Sequence, residues 1–277
     1  MTPSAWRVRA QDDHEWDLVA VEAAAPRQTL LWLPALGVAA RHYLPLAHAL
    51  AARGVSVAVH EWRGHGTSTQ RASRRTDWGY RDLLEHDLPA SIDVLQARSR
   101  GQTIAIGGHS LGGQLACCSA ALSPHRIRSM HLVASGAPYW RAFPSPRRYG
   151  LPFAYRFLPW LARANGALPG RRIGFGGMEA AGVVRDWART ALTGRYEVKG
   201  WEVGIDRMLQ MVHAPVTAIT LDDDWLAPAT SLDYLLGTMP LAPTRVSSID
   251  SARLGVRADH FAWMHAPDAI AETLFDL

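Results

Sequence analysis

Apolar residues along this chain fall into two rhythms, and their alternation predicts an architecture. Continuous apolar runs of strand length at residues 29–33, 55–60, 103–107, 127–134 and 214–221 read as strands buried on both faces. Between them, residues 43–52, 82–98 and 111–122 carry the spacing of helices with one apolar side, and 267–275 reads as a last helix. Alternating positions at 6–10 and 17–21 predict an antiparallel hairpin at the start, and Ser247-Ser248-Ile249 closes one more strand. The fold class that follows is α/β: a mostly parallel sheet covered by helices on both faces, with ligands expected at the carboxyl ends of the strands.

The rhythm breaks between residues 138 and 200. This stretch is long, rich in aromatics such as Tyr139, Trp140, Phe153, Trp160 and Trp187, and punctuated by prolines and by Gly174-Phe175-Gly176-Gly177. It reads as a cap (lid) insertion at 138–200, set into a core formed by 1–137 and 201–277. Each aromatic taken singly is expected to build the small core of that insertion. Residues 153–161 could instead form a short lipid-contacting helix, its length limited by prolines at both ends.

The densest chemistry lies at Gly108-His109-Ser110-Leu111-Gly112, which follows an apolar strand and opens a helix. Such a turn is a nucleophile elbow: it is sharp enough to strain the serine backbone, and glycines on either side let the chain pass itself. Ser110 is thereby the expected nucleophile. A base and an acid must arrive from the ends of other strands. His260, after the strand ending at Ile249, is the natural base, and Asp222-Asp223-Asp224 follow the strand ending at Leu221.

Serine, acid and histidine in that chain order around an elbow resemble the α/β-hydrolase fold superfamily, over nearly the whole chain. Glu61-Trp62-Arg63-Gly64-His65-Gly66-Thr67-Ser68 resembles the family's Arg-Gly-x-Gly-x-Ser loop, and Asp224-x-Leu226-x-Pro228 resembles its acid loop. The second likeness selects Asp224 among the three aspartates. The chain is similar to bacterial α/β hydrolases near the serine-aminopeptidase and monoacylglycerol-lipase branch, which implies a serine hydrolase. Two departures stand out. Pro34-Ala35-Leu36-Gly37 replaces the His-Gly that usually precedes the oxyanion hole, and aligning Gly37 with the family glycine makes the Leu36 N–H one donor, with Leu111 the other. Asp259 stands beside His260 where relatives often carry glycine, but adjacent residues rarely orient their side chains toward each other.

Composition narrows the reading further. With 277 residues and 48% hydrophobic content the chain can bury one large core plus an insertion. Its net charge of +4 comes almost wholly from scattered arginines, Lys199 being the sole lysine, which argues against a nucleic-acid partner. Cys117 and Cys118 are adjacent in a helix and suit core packing. No stretch has the length of a signal peptide core or membrane span, so a cytoplasmic enzyme without stable membrane insertion is expected. His65 and His109 are expected to make structural hydrogen bonds, and His86, His131 and His213 show no partner pattern. No metal-ligand spacing or phosphate loop occurs, so neither metal nor cofactor is expected. The function expected is hydrolysis of a small apolar or aromatic carboxylic ester through an acyl-enzyme. Alternatives are a thioesterase, amidase or peptidase with the same triad, or a silent small-molecule-binding member of the fold; the sequence leaves the oligomeric state open.

Overall fold

The computed structural model of the protein describes residues 2–99, 103–198 and 200–275, so Lys199 lies outside the described residues. The strands are β1 (Ser4–Arg9), β2 (Glu15–Val21), β3 (Gln28–Leu33), β4 (Val55–Val59), β5 (Ile104–His109), β6 (Ile127–Val133), β7 (Ala167–Pro169), β8 (Met178–Ala180), β9 (Val216–Leu221) and β10 (Thr244–Ile249). Eight of them form one sheet in the order β1-β2-β4-β3-β5-β6-β9-β10, and β7 pairs with β8 in a separate ribbon. β2 runs antiparallel to β1 and β4, and every pairing from β4 onward to β10 is parallel.

The central strands are mostly apolar and buried because both faces are covered. Along β3, Leu31 and Leu33 pack with Leu88, Ile92 and Leu115 on one side. Leu30 and Trp32 pack with Tyr43, Leu46, Leu50 and Ile270 on the other. This is the two-residue period of a strand sorting side chains between two helix layers. β10 is the outer strand and exposes most of its residues, which is why only its last three positions read as a strand from sequence.

Two helices differ from expectation, both at prolines. The helix expected over 82–98 begins at Tyr80, widens to a π turn over Leu83–Asp87 and resumes as Leu88–Arg98. Pro89 has no N–H and its ring would strike the Glu85 carbonyl in a continuous α-helix; the wider turn moves that carbonyl away. The segment expected to stop within 153–161 is instead a helix over Leu151–Asn165 that runs through Pro159. Pro152 sits in the first turn, where a missing N–H costs nothing. Pro159 forfeits a bond to Tyr155, a penalty of about 3 kcal/mol. Packing offsets it: Ala162 packs with Leu168 and Val184, and Tyr155 meets the Trp187 ring edge-on at 5.0 Å.

The stretch from 138 to 200 lies between β6 and β9 and contains this helix, the β7–β8 ribbon and a second helix, Ala181–Thr193. Ala162, Leu168 and Val184 make its small local core. Tyr155, Val183, Trp187 and Ala191 join the main core, so this stretch packs continuously with the rest of the chain.

Candidate active site

Strand register brings the chemistry together. Leu33 pairs with Gly108, His109 with Val133, Val133 with Ile219, and Leu221 with Ile249, so the carboxyl ends of five strands stand side by side. The loops leaving them carry Leu36, Ser110, Ser135, Asp224 and, after β10, His260.

Ser110 takes φ 54° and ψ −119°, a strained conformation for a residue with a Cβ. The turn closes only because its glycines touch: a Cβ on Gly108 would lie 2.4 Å from the Gly112 carbonyl carbon, and one on Gly112 would lie 2.1 Å from the Leu33 oxygen. Ser135 Oγ donates to the Ser110 carbonyl at 2.7 Å and fixes the elbow from the next strand end.

Asp224 and His260 are buried and joined at 2.7 Å between Oδ2 and Nδ1. The other carboxylate oxygen accepts the N–H groups of Leu226 at 2.8 Å and Ala227 at 3.1 Å. With Nδ1–H donating to Asp224, Nε2 of His260 keeps its lone pair. The histidine loop is held by Trp263 Nε1–H donating to the His260 carbonyl at 3.0 Å, and by Asp223 N–H donating to Ala258 at 2.9 Å.

The other acids are engaged elsewhere. Asp222 accepts from Ser248. Asp223 accepts from Ser251 at 3.2 Å and lies 3.8 Å from Arg257. Asp259 accepts the N–H groups of Phe261 at 3.0 Å and Ala262 at 2.8 Å, which ties its carboxylate into a local turn. Partial burial raises its pKa, but these two bonds and the Arg257 charge outweigh that and leave it below the usual carboxylate range.

Ser110, His260, Leu36 and Leu111 line one cavity of about 510 Å³, with Phe143, Tyr155 and Trp187 among its other walls. No hydrogen bond joins Ser110 to His260 among the described residues. The Leu36 and Leu111 N–H groups donate to no backbone acceptor among the described residues. Leu111 opens the helix Leu111–Leu122, whose N-terminal dipole favours negative charge at this point.

The altered loop at residues 34–37 is held by side chains that its sequence does not announce. Trp62 Nε1–H donates to the Pro34 carbonyl at 2.9 Å. Ala35 N–H donates to the Tyr43 hydroxyl at 2.9 Å, and that hydroxyl donates to His109 Nδ1 at 2.9 Å. Burial pushes the His109 pKa well below the usual imidazole range, so it stays a neutral acceptor 4.7 Å from the His260 ring. Gly37, at φ 80°, touches the insertion: a Cβ there would lie 2.2 Å from the Gly177 nitrogen. Glu179 holds that contact by accepting from Gly177 N–H at 2.7 Å and pairing with His65 at 3.3 Å. Burial lowers the His65 pKa, but its bond to Glu179 and the charges of Glu179 and Glu61 more than offset this, and the net shift is upward. Tyr43, Ser135 and Glu179 had no sequence signal, because their partners are set by tertiary contacts.

The family profile described as "Serine aminopeptidase, S33" matches residues 24–190, more than half of the chain. The chain belongs to this family of α/β hydrolases. Its matched span takes in the elbow, the loop at residues 34–37, the Glu61–Ser68 loop and most of the insertion. Pheophytinase, chloroplastic, of Arabidopsis thaliana is 30% identical over 142 residues, covering 43% of this chain and 29% of that protein, so the match spans less than a third of the relative's length. Among solved structures, the thioesterase domain from the curacin biosynthetic pathway superposes with a TM-score of 0.63 at 18% identity, covering 100% of both chains. A thermophilic esterase from Thermogutta terrifontis, solved with malate bound, gives a TM-score of 0.62 at 16% identity, covering 97% of this chain and 96% of that one. At these identities the superpositions establish the fold, and the family profile places the chain among the α/β hydrolases.

Proposed function

We propose that the protein is a carboxylic-ester hydrolase working through an acyl-enzyme on Ser110, with His260 as base and Asp224 as the acid that orients it. The observation that carries this reading is the buried Asp224–His260 pair, whose histidine lines one largely apolar cavity together with the strained Ser110. Ser110 Oγ attacks the ester carbonyl while His260 Nε2 takes its proton and returns it to the departing alcohol; water then repeats the sequence on the acyl-enzyme. The negative oxygen is received by the Leu36 and Leu111 N–H groups. Residues 138–200 act as the cap over a core of 1–137 and 201–277, and their Phe143, Tyr155, Phe157 and Trp187 favour an apolar or aromatic ester.

The test is a panel of activated oxygen esters of increasing acyl length, beside thioesters and aminoacyl amides, together with labelling by a fluorophosphonate. Fastest turnover on apolar oxygen esters with label on the Ser110 peptide supports the reading. Preference for thioesters or amides would reassign the substrate class, and no labelling would leave a binding protein.

The loop that replaces His-Gly carries its own prediction. Leu36→Ala keeps the donor and changes only pocket shape, so kcat stays near wild type. Leu36→Pro deletes the N–H and raises the acylation barrier by about 2.7 to 4 kcal/mol, the usual worth of one such donor. Pre-steady-state acylation rates on variants that melt like wild type distinguish them; equal rates would remove Leu36 from the hole.

A further inference from the structure

The helix Leu151–Asn165 turns an aromatic stripe to solvent. Phe153, Phe157 and Trp160 are 77%, 43% and 62% exposed. Their spacing puts them on one side of the helix. The Phe153 and Phe157 rings lie within 3° of parallel with centroids 6.4 Å apart, and Trp160 lies 5.6 Å from Phe157. A contiguous apolar patch of this kind marks an interaction surface. It also runs into the cavity, since Phe157, Ile173, Trp225 and Phe261 are exposed and line the cavity at once.

The charge along this segment of the chain has one sign. Between Pro138 and Met178 every charged side chain is an arginine. Arg156 and Arg163 flank the stripe on the same helix, Arg171 and Arg172 precede Ile173, and all four are exposed. The exposed Arg147 guanidinium stands 5.5 Å over the Trp225 ring at the cavity mouth. The arginines that look scattered over the whole chain are thus unopposed by acids in this segment.

We propose that this face docks the protein on an anionic phospholipid surface. Phe153 and Trp160 enter at headgroup depth, the flanking arginines pair with lipid phosphates, and the cavity mouth opens toward the acyl chains. A second copy of this chain is a poor occupant, because it would bring the same arginines against these. An apolar ester dissolved in the bilayer then reaches the cavity without crossing water; that consequence rests on the ester-hydrolase reading, whereas the docking does not.

The test is flotation of the full chain with vesicles of phosphatidylcholine alone and of phosphatidylcholine with roughly one third phosphatidylglycerol. Binding is expected on the anionic vesicles, weaker by about tenfold or more on the neutral ones, and falling with added salt. The double variants Phe153→Ser with Trp160→Ser, and Arg156→Glu with Arg163→Glu, should each lose binding while melting like wild type and turning over a short water-soluble ester at the wild-type rate. Two results would overturn the proposal: no binding to anionic vesicles at low salt, or binding that both variants retain. So would a concentration-dependent dimer in sedimentation that the Phe153/Trp160 variant abolishes, since the occupant would then be a second copy. Vesicle binding without turnover of any ester would leave the docking standing and sink only the proposed activity.

Discussion

Ser110→Ala is expected to lower kcat on activated esters by about 10⁶-fold, the order seen when a triad nucleophile is removed. The fold should survive intact. Alanine has the same backbone demands as serine at φ 54°, and the contacts that close the elbow involve the Ser110 backbone and its glycines rather than its hydroxyl. Fluorophosphonate labelling disappears with turnover. A residual rate of about 10³ to 10⁴ over water would remain from the cavity and the backbone donors. Wild-type protein that never labels, or a Ser110→Ala variant that keeps its activity, would overturn the assignment of the nucleophile.

How much of this site could be read from the chain follows from how each part is built. The elbow is local: five consecutive residues must contain two glycines because the backbone touches itself there, and that demand is written in sequence. The parallel strands were legible for a similar reason, since burial on both faces leaves few polar positions: Ser56 alone in β4 and His109 alone in β5. The acid was not separable by chemistry alone, because Asp222, Asp223 and Asp224 are identical and adjacent; the family likeness of the following Leu226 and Pro228 selects Asp224, and in the structure the partners Ser248, Ser251 and His260 tell the three apart. The supports of the loop at residues 34–37 were invisible, since Tyr43 and Glu179 are ordinary residues whose roles come from what the fold places against them. The helix through Pro159 was misjudged because proline's local penalty is readable in sequence and the packing of Tyr155 and Ala162 that overrides it is not.

Replacing each carboxylate in turn decides which acid serves His260. In Asp224→Asn the side-chain oxygen is held by the Leu226 and Ala227 N–H groups, which leaves the amide NH₂ facing His260 Nδ1. A donor there forces Nδ1 to accept, and the proton moves to Nε2, the atom that must take the Ser110 proton. Turnover falls by about 10⁴-fold, as expected for a triad histidine held in the wrong tautomer. Asp259→Asn behaves differently. Asparagine can still accept from the Phe261 and Ala262 N–H groups, the turn persists, and the loss stays within about tenfold, the scale of an indirect effect on loop position. Asp222→Asn touches only its contact with Ser248, Asp223→Asn its contacts with Ser251 and the exposed Arg257, and both lose no more than that. kcat/KM for the four variants on one ester at one pH, with fluorophosphonate labelling rates beside them, settles the order. If Asp259→Asn falls as far as Asp224→Asn, the histidine depends on the adjacent carboxylate as much as on Asp224, and the assignment of Asp224 alone as the orienting acid is overturned.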